Sequence, residues 1–335
     1  MEDAPDAGGM MPDWLYGGEF REALKVKKKY TSLYDGKSLE DALPGTPVAT
    51  KSGECYCIES SESFCLCPIG RESARKALLS SLRLLRGIGP EKEAKLRAEG
   101  YSTIEDLLDH PVWQHKARKL IDLVDTCDAR RIQEELWHWL PRSHPLNLYT
   151  TAFADASRLA VIDIETMGLF SRPIFLFGAA FVEDGKITTR QFLARDVDEE
   201  PAAIEAFCEL LADRPIMSYN GRSFDVPYVN QRRWYYDMPG VIDNTHFDML
   251  HFARRIFRDT LPDARLLTIE KHIFGEDRAD DVPGAMVPEF YESYLESGNP
   301  GPLVPVVGHN RKDMITLARL FGRLCEEEHG HVSHR

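Results

Sequence analysis

No apolar run in this 335-residue chain approaches the roughly 20 residues that a helix needs to cross a bilayer. A helical membrane span is excluded. The first residues, MEDAPDAGGMMPDW, are acidic and lack an apolar signal core, so a soluble, cytoplasmic protein is expected. Cysteines are few and odd in number: Cys55, Cys57, Cys65, Cys67, Cys127, Cys208 and Cys325. An odd count in such a context speaks against a disulfide framework. Positive charge is also short, with 41 basic against 54 acidic residues and a net charge of −13. That argues against a protein whose whole surface grips nucleic acid. Apolar residues are not lacking. At 43% hydrophobic and 28% charged, the composition is globular, and collagen-like, coiled-coil and wholly disordered chains are ruled out. At roughly 150 residues per domain, the length suggests two domains.

The charge is uneven. Residues 71–120 carry 11 basic and 7 acidic residues, whereas residues 150–335 carry 20 and 30. Cations bound in the acidic half would neutralise part of its excess. Residues 1–50 read as loosely ordered, with a flexible DAGGMM at 6–11 and a basic run KVKKK at 25–29. Such a run marks either a solvated helix face or a nucleic-acid contact.

Residues 48–67 alternate like a hairpin. Side chains repeat every second residue on a strand, so Cys55 and Cys57 share one face, and Cys65 and Cys67 share one on the next strand. Four thiolates on one face of a hairpin could hold a tetrahedral zinc. The C-x-C spacing is not that of a usual zinc knuckle, and half-buried free thiols are the other reading.

Residues 71–149 read as a helical module. Within it, Leu85-Arg86-Gly87-Ile88-Gly89-Pro90 is a glycine turn followed by a proline suited to the first helical position. Gly100 ends that short helix, and Thr103 opens another, TIEDLLDHP, with Asp106 as its capping partner. The pattern resembles a helix-hairpin-helix. Backbone N–H groups at Gly87 and Gly89, with Lys92 adding charge, could hold a phosphate; simple helix packing is the alternative. Trp137 and Trp139 precede a linker containing Pro141 and Pro145, which places a domain boundary near residue 150.

The pattern changes at Leu159. Leu159 to Thr166, LAVIDIET, is a short apolar strand interrupted by Asp163 and Glu165 on one face. Two carboxylates so placed repel each other and resist desolvation, and a divalent cation between them relieves both costs. Further strands are expected at 174–182, 187–193 and 216–219, with Asp184-Gly185 as a hairpin turn and a helix at about 201–212. Asp225 falls at a helix start. Gly308-His309-Asn310 opens an apolar helix, on which His309 and Asp313 share a face.

Asp-Ile-Glu-Thr at 163–166, Tyr-Asn-Gly-x-x-Phe-Asp at 219–225 and His-Asn-x-x-Asp at 309–313 resemble the three motifs of the DnaQ-like, or DEDD, exonucleases. Asp280-Asp281-Val282-Pro283-Gly284 and Glu289-Phe290-Tyr291 are similar to the YprB-type branch. The resemblance implies an α/β, RNase H-like domain over residues 150–330, with a mixed central sheet flanked by helices. A smaller, mainly helical N-terminal domain (71–149) and a cysteine-bearing region (1–70) precede it. It implies a 3′–5′ exonuclease in which Asp163, Glu165, Asp225 and Asp313 bind two divalent ions, Mg²⁺ or Mn²⁺. His309 would be the general base, although its interval to Asp313 is the one more usual where tyrosine takes that place. Thr166, Met167 and Asn220 would hold the terminal nucleotide. The partner is nucleic acid, DNA favoured over RNA. A structure-specific endonuclease and an inactive nucleic-acid-binding protein are the other readings of the same pattern.

Overall fold

A computed structural model describes residues 17–333 except residue 170. Its centre is a mixed seven-stranded sheet in the order β1-β2-β5-β4-β3-β6-β7. The strands are β1 (Thr46–Thr50), β2 (Gly53–Ser63), β3 (Ala160–Thr166), β4 (Ile174–Glu183), β5 (Lys186–Leu193), β6 (Ile216–Ser218) and β7 (His246–Asp248). β6 runs parallel to β3 and β7, and the remaining pairs are antiparallel. β4 is apolar on both faces, as a strand covered by helices on both sides must be. The β4–β5 hairpin turns at Asp184 and Gly185, both at positive φ, as the Asp-Gly pair predicts.

Ten helices of seven or more residues are found among the described residues. They are α1 (Gly17–Leu33), α2 (Arg71–Leu79), α3 (Pro90–Ala98), α4 (Gln114–Asp125), α5 (Ala129–Trp137), α6 (Glu200–Leu211), α7 (Asp225–Tyr235), α8 (Leu250–Ile256), α9 (Val287–Ser297) and α10 (Leu303–Ser333). Helices α6 and α7 cover one face of the sheet, packing on Ile162, Ile164 and Phe177. Helix α10 covers the other, with Met314 and Ala318 against Val161, Ala180 and Met217. A third cluster joins α1 and α9 to Phe175, Leu176 and Leu193, and Tyr291 stacks on Phe175 at 4.0 Å between ring centres.

The structure differs from the sequence reading in several places. Residues 17–50 are ordered rather than loose, because Ala23 and Val26 bury α1 against the sheet; residues 6–11 lie outside the described residues. The basic run sits on α1, and two of its lysines pair within the molecule, Lys27 with Glu289 at 2.8 Å and Lys29 with Asp280. β1 and β2 extend the same sheet through β5, so residues 46–63 pack with the acidic half. The helical stretch 71–153 shares one continuous apolar core with α10 and the sheet. Finally, the second helix of the expected pair is only a 3₁₀ turn, Asp106–Asp109. Its capping partners are in place, with Asp106 accepting from Ser102 and Thr103 N–H, but Pro111 stops the chain from continuing.

The cysteines do not form a four-thiol face. β2 runs unbroken from Gly53 to Ser63 and its hairpin partner is β1, so Cys65 and Cys67 lie beyond the strand end. Cys57 and Cys65 are eight residues apart on a nearly extended chain, roughly 26 Å. Cys55 and Cys57 pack in the α6 cluster, whereas Cys65 and Cys67 line a cavity against α10 on the opposite face. A zinc shared by all four is ruled out by that geometry.

Candidate active site

β3 sets the first two carboxylates. Alternation sends Ile162 and Ile164 into the α6 face and turns Asp163 and Glu165 toward α10. Asp163 pairs with Gly178 on β4, and a Cβ there would collide with Asn310 and Met314 of α10. Glycine at 178 is what lets α10 lie close enough for Asn310 Nδ2 to donate to Asp163 Oδ2 at 2.7 Å. Gln191 donates to Asn310 Oδ1 at 2.9 Å, which fixes the orientation of that amide. The β3–β4 register shifts between Glu165 and Thr166, a bulge of the kind that re-aims side chains beside active sites.

Asp225 is the first residue of α7 and is buried. The loop before it is held by Asp248 of β7, whose carboxylate accepts the Asn220 N–H at 2.9 Å and the Arg222 N–H at 3.2 Å. Asn220 itself sits at φ 72, a left-handed conformation that asparagine tolerates better than most residues.

His309 and Asp313 lie on α10, which starts at Leu303 rather than at Gly308. Pro305 falls in the first turn, where its missing N–H costs nothing, so His309 is one turn deeper into the helix than the sequence suggests. His309 Nε2 is 3.7 Å from Asp313 Oδ2, and its Nδ1 is 2.8 Å from Asp281 Oδ1. An ionised carboxylate can only accept, so Nδ1 carries the proton and Nε2 is left as the basic atom.

These groups perturb one another. Burial, followed by the charges of Glu165, Asp313 and Asp225, pushes the Asp163 carboxyl well above the usual range. Burial raises Glu165 to about 7, with Asp313 and Asp225 adding to the effect and His309 opposing it. Burial also raises Asp225 to about 7, against backbone N–H groups that favour its charged form. Burial alone would lower His309, but its bond to Asp281 and the charges of Asp313 and Glu165 lift it to about 9. A cation among these carboxyls would favour their ionised forms and displace the protons that burial retains.

The donor chemistry therefore suits a hard divalent ion. Among the described residues, however, no group of three or more His, Cys, Asp or Glu side chains is already arranged around one ion position. Asp163 accepts from Asn310 and Asp313 from Arg278, so one oxygen of each is already engaged. A cleft of about 480 Å³ opens over the site, lined by Asp163, Asn220, His309 and Asp313 together with Tyr219, Arg254 and Arg265.

Of the residues expected to hold a terminal nucleotide, Asn220 lines the cleft and Thr166 and Met167 do not. The Met167 N–H donates to Pro173 O, and the Thr166 hydroxyl to Gly168 O. Lys92, expected on phosphate, donates to Gly87 O at 2.9 Å and lies over the Trp113 ring. Asp281 and Arg278 went unread as site residues. Asp281 stands in the Asp280–Gly284 stretch that resembles the YprB-type branch, and Arg278 is the lone arginine of the acidic stretch 276–281.

Residues 160–325 match the RNase_H superfamily. The chain is 30% identical over 208 residues to the uncharacterized protein YprB of Bacillus subtilis (strain 168), a match covering 59% of this chain. It spans 50% of the length of that relative. A solved family B DNA polymerase from the hyperthermophilic archaeon Pyrobaculum calidifontis aligns with 50% of this chain and 24% of its own, at 16% identity and a TM-score of 0.39. Residues 160–325, carrying β3 to α10 and the cleft between them, have the RNase H-like fold of the superfamily they match.

Proposed function

We propose that the protein is a divalent-metal-dependent 3′–5′ exonuclease that hydrolyses phosphodiester bonds of nucleic acid, DNA in preference to RNA. The observation that carries this reading is the gathering of Asp163, Glu165, Asp225 and Asp313 beside a histidine whose far nitrogen is tied to Asp281. Two divalent ions on these carboxylates would lower the pKa of an attacking water and offset charge on the scissile phosphate and leaving oxygen.

The chain's own groups have separate tasks. Asp281 holds the His309 ring so that Nε2 faces Asp313 and the cleft, where it takes the proton from the attacking water. Cations on the carboxylates would offset the charges of Asp313 and Glu165 and so lower His309, while its bond to Asp281 would remain. Arg254 and Arg265 on the cleft wall would contact the phosphates of the entering strand. Asn220, on the loop pinned by Asp248, would meet the terminal nucleotide. In the helical half, the Gly87–Gly89 turn resembles a helix-hairpin-helix. For it to hold a phosphate, Lys92 must exchange the Gly87 carbonyl for that anion.

The test is digestion of 5′-labelled single-stranded DNA and RNA with Mg²⁺ or Mn²⁺, beside Asp163→Asn. A ladder shortening from the 3′ end, absent in the variant, is expected. Cleavage of a strand with a blocked 3′ end would mark an endonuclease. Binding without cleavage by both proteins would mark a nucleic-acid-binding protein.

A further inference from the structure

Arg278 is a buried cation that the functional reading leaves unused. Its side chain is 5% exposed, and Glu270 beneath it is 1% exposed. The two form a bidentate pair, with Nε 2.6 Å from Glu270 Oε2 and Nη2 2.7 Å from Glu270 Oε1. Glu270 opens a π-helical turn (Glu270–Phe274) and also accepts the hydroxyl of Thr316 on α10, so the guanidinium is anchored to the helix that bears the site. The free side of the fork reaches two site groups. Nη2 donates to Asp313 Oδ1, and Nη1 lies 3.4 Å from Asp281 Oδ1, the same oxygen that receives the His309 Nδ1–H.

We propose that Arg278 is a positioning residue that sets the carboxylate of Asp313 and the Asp281–His309 pair relative to one another. One planar guanidinium spans both, which lysine cannot do with a single ammonium. The bond also occupies Asp313 Oδ1, so Asp313 can offer an ion only Oδ2, the oxygen that faces His309. The arginine therefore trades cation affinity for geometry. It withdraws negative charge from the site while holding base and ligand in register. This inference rests on the proposed nuclease reading, which it deepens.

Arg278→Met, Arg278→Lys and the double variant Arg278→Met/Glu270→Met separate the effects. The double variant removes both buried charges together, which spares the fold the cost of an unpaired one. Two quantities are read: Mn²⁺ binding without substrate, by electron paramagnetic resonance, and kcat and KM on the labelled strand that the wild type cleaves. Arg278→Met and the double variant should bind Mn²⁺ more tightly, on the order of tenfold, because a fixed positive charge has left the site. Their kcat should fall on the order of 100-fold, with KM within about twofold, because base and ligand lose their registration. Arg278→Lys keeps the charge but loses the fork. It should bind Mn²⁺ within about threefold of wild type and still lose more than about tenfold in kcat. Mn²⁺ affinity that falls together with kcat in all three variants would reduce Arg278 to a structural role and overturn the proposal, as would a kcat retained in Arg278→Met. If the wild type cleaves no polymer, the nuclease reading fails on its own. The Mn²⁺ titrations still decide whether Arg278 withholds Asp313 from cations: tighter binding in Arg278→Met supports that, and unchanged or weaker binding overturns it.

Discussion

His309 lies between two carboxylates, and the one on its Nδ1 side decides its chemistry. Asp281 fixes the tautomer and leaves Nε2 over Asp313. Replacing His309 by alanine should lower kcat on the order of 10²–10⁴-fold, the usual contribution of a general base. Asp281→Asn should also lower kcat, by less, because an amide can still hold the ring but no longer favours the imidazolium that forms. Equal activity of Asp281→Asn and wild type across the pH profile would count against this assignment. At the same scale, Gly178 is a packing requirement hidden inside a strand. Gly178→Ala pushes a methyl into Asn310 and Met314, and should cost about 1–3 kcal/mol in denaturant unfolding. It should also disturb the Asn310–Asp163 bond and slow cleavage.

At the scale of elements, one buried ion pair ties three pieces together. Glu200 at the start of α6 accepts the Ile174 N–H of β4 at 2.8 Å and the Arg232 Nε of α7 at 2.8 Å. Arg232 is 6% exposed at its side chain and Glu200 is fully buried. Glu200→Ala leaves a buried guanidinium and a strand N–H unpaired, and should cost about 3–5 kcal/mol. A loss below about 1 kcal/mol in urea unfolding would show that the pair is replaceable. The elements themselves were largely readable: the strand of Asp163, the Asp-Gly hairpin and the helix beginning at Asp225 occur where alternation and turn chemistry predict them. The exceptions have local causes. Pro305 suits a first turn, so α10 begins before the Gly308 at which the motif places its start. Thr103 and Asp106 read as a helix start but lead into Pro111 within one turn.

At the scale of the whole molecule, the site couples to stability. Glu165 and Asp225 are raised to about 7 from 4.5 and 3.8. Without cations, the folded protein therefore keeps protons that the unfolded chain has released, and stability falls as pH rises through about 7. His309, raised from 6.5 to about 9, acts in the same direction: its contribution is full below 6.5 and lost through about 9. The melting temperature in chelator should therefore decrease from about pH 5 to about pH 9. Mn²⁺ should raise it by several degrees at about pH 8 and little at about pH 5, because cations compete with those protons. A melting temperature in chelator that climbs over this range would contradict the assignment.

Whereas the mixed sheet flanked by helices followed from the family resemblance, the local pattern of the chain was enough to place the strand bearing Asp163 and Glu165 and the helical positions of Asp225, His309 and Asp313. Each of these rests on neighbours within a few residues, where periodicity and turn chemistry act. Tertiary structure alone decided that β1 and β2 join the same sheet, because strand pairing with β5 spans more than a hundred residues. It separated the two cysteine pairs onto opposite faces and paired Lys27 and Lys29 of the basic run with Glu289 and Asp280. It also brought Arg278 and Asp281 to His309 across a loop whose charges look like solvent-facing ones in sequence. A side chain's burial and its partners are set by what packs over it, and no local pattern carries that information.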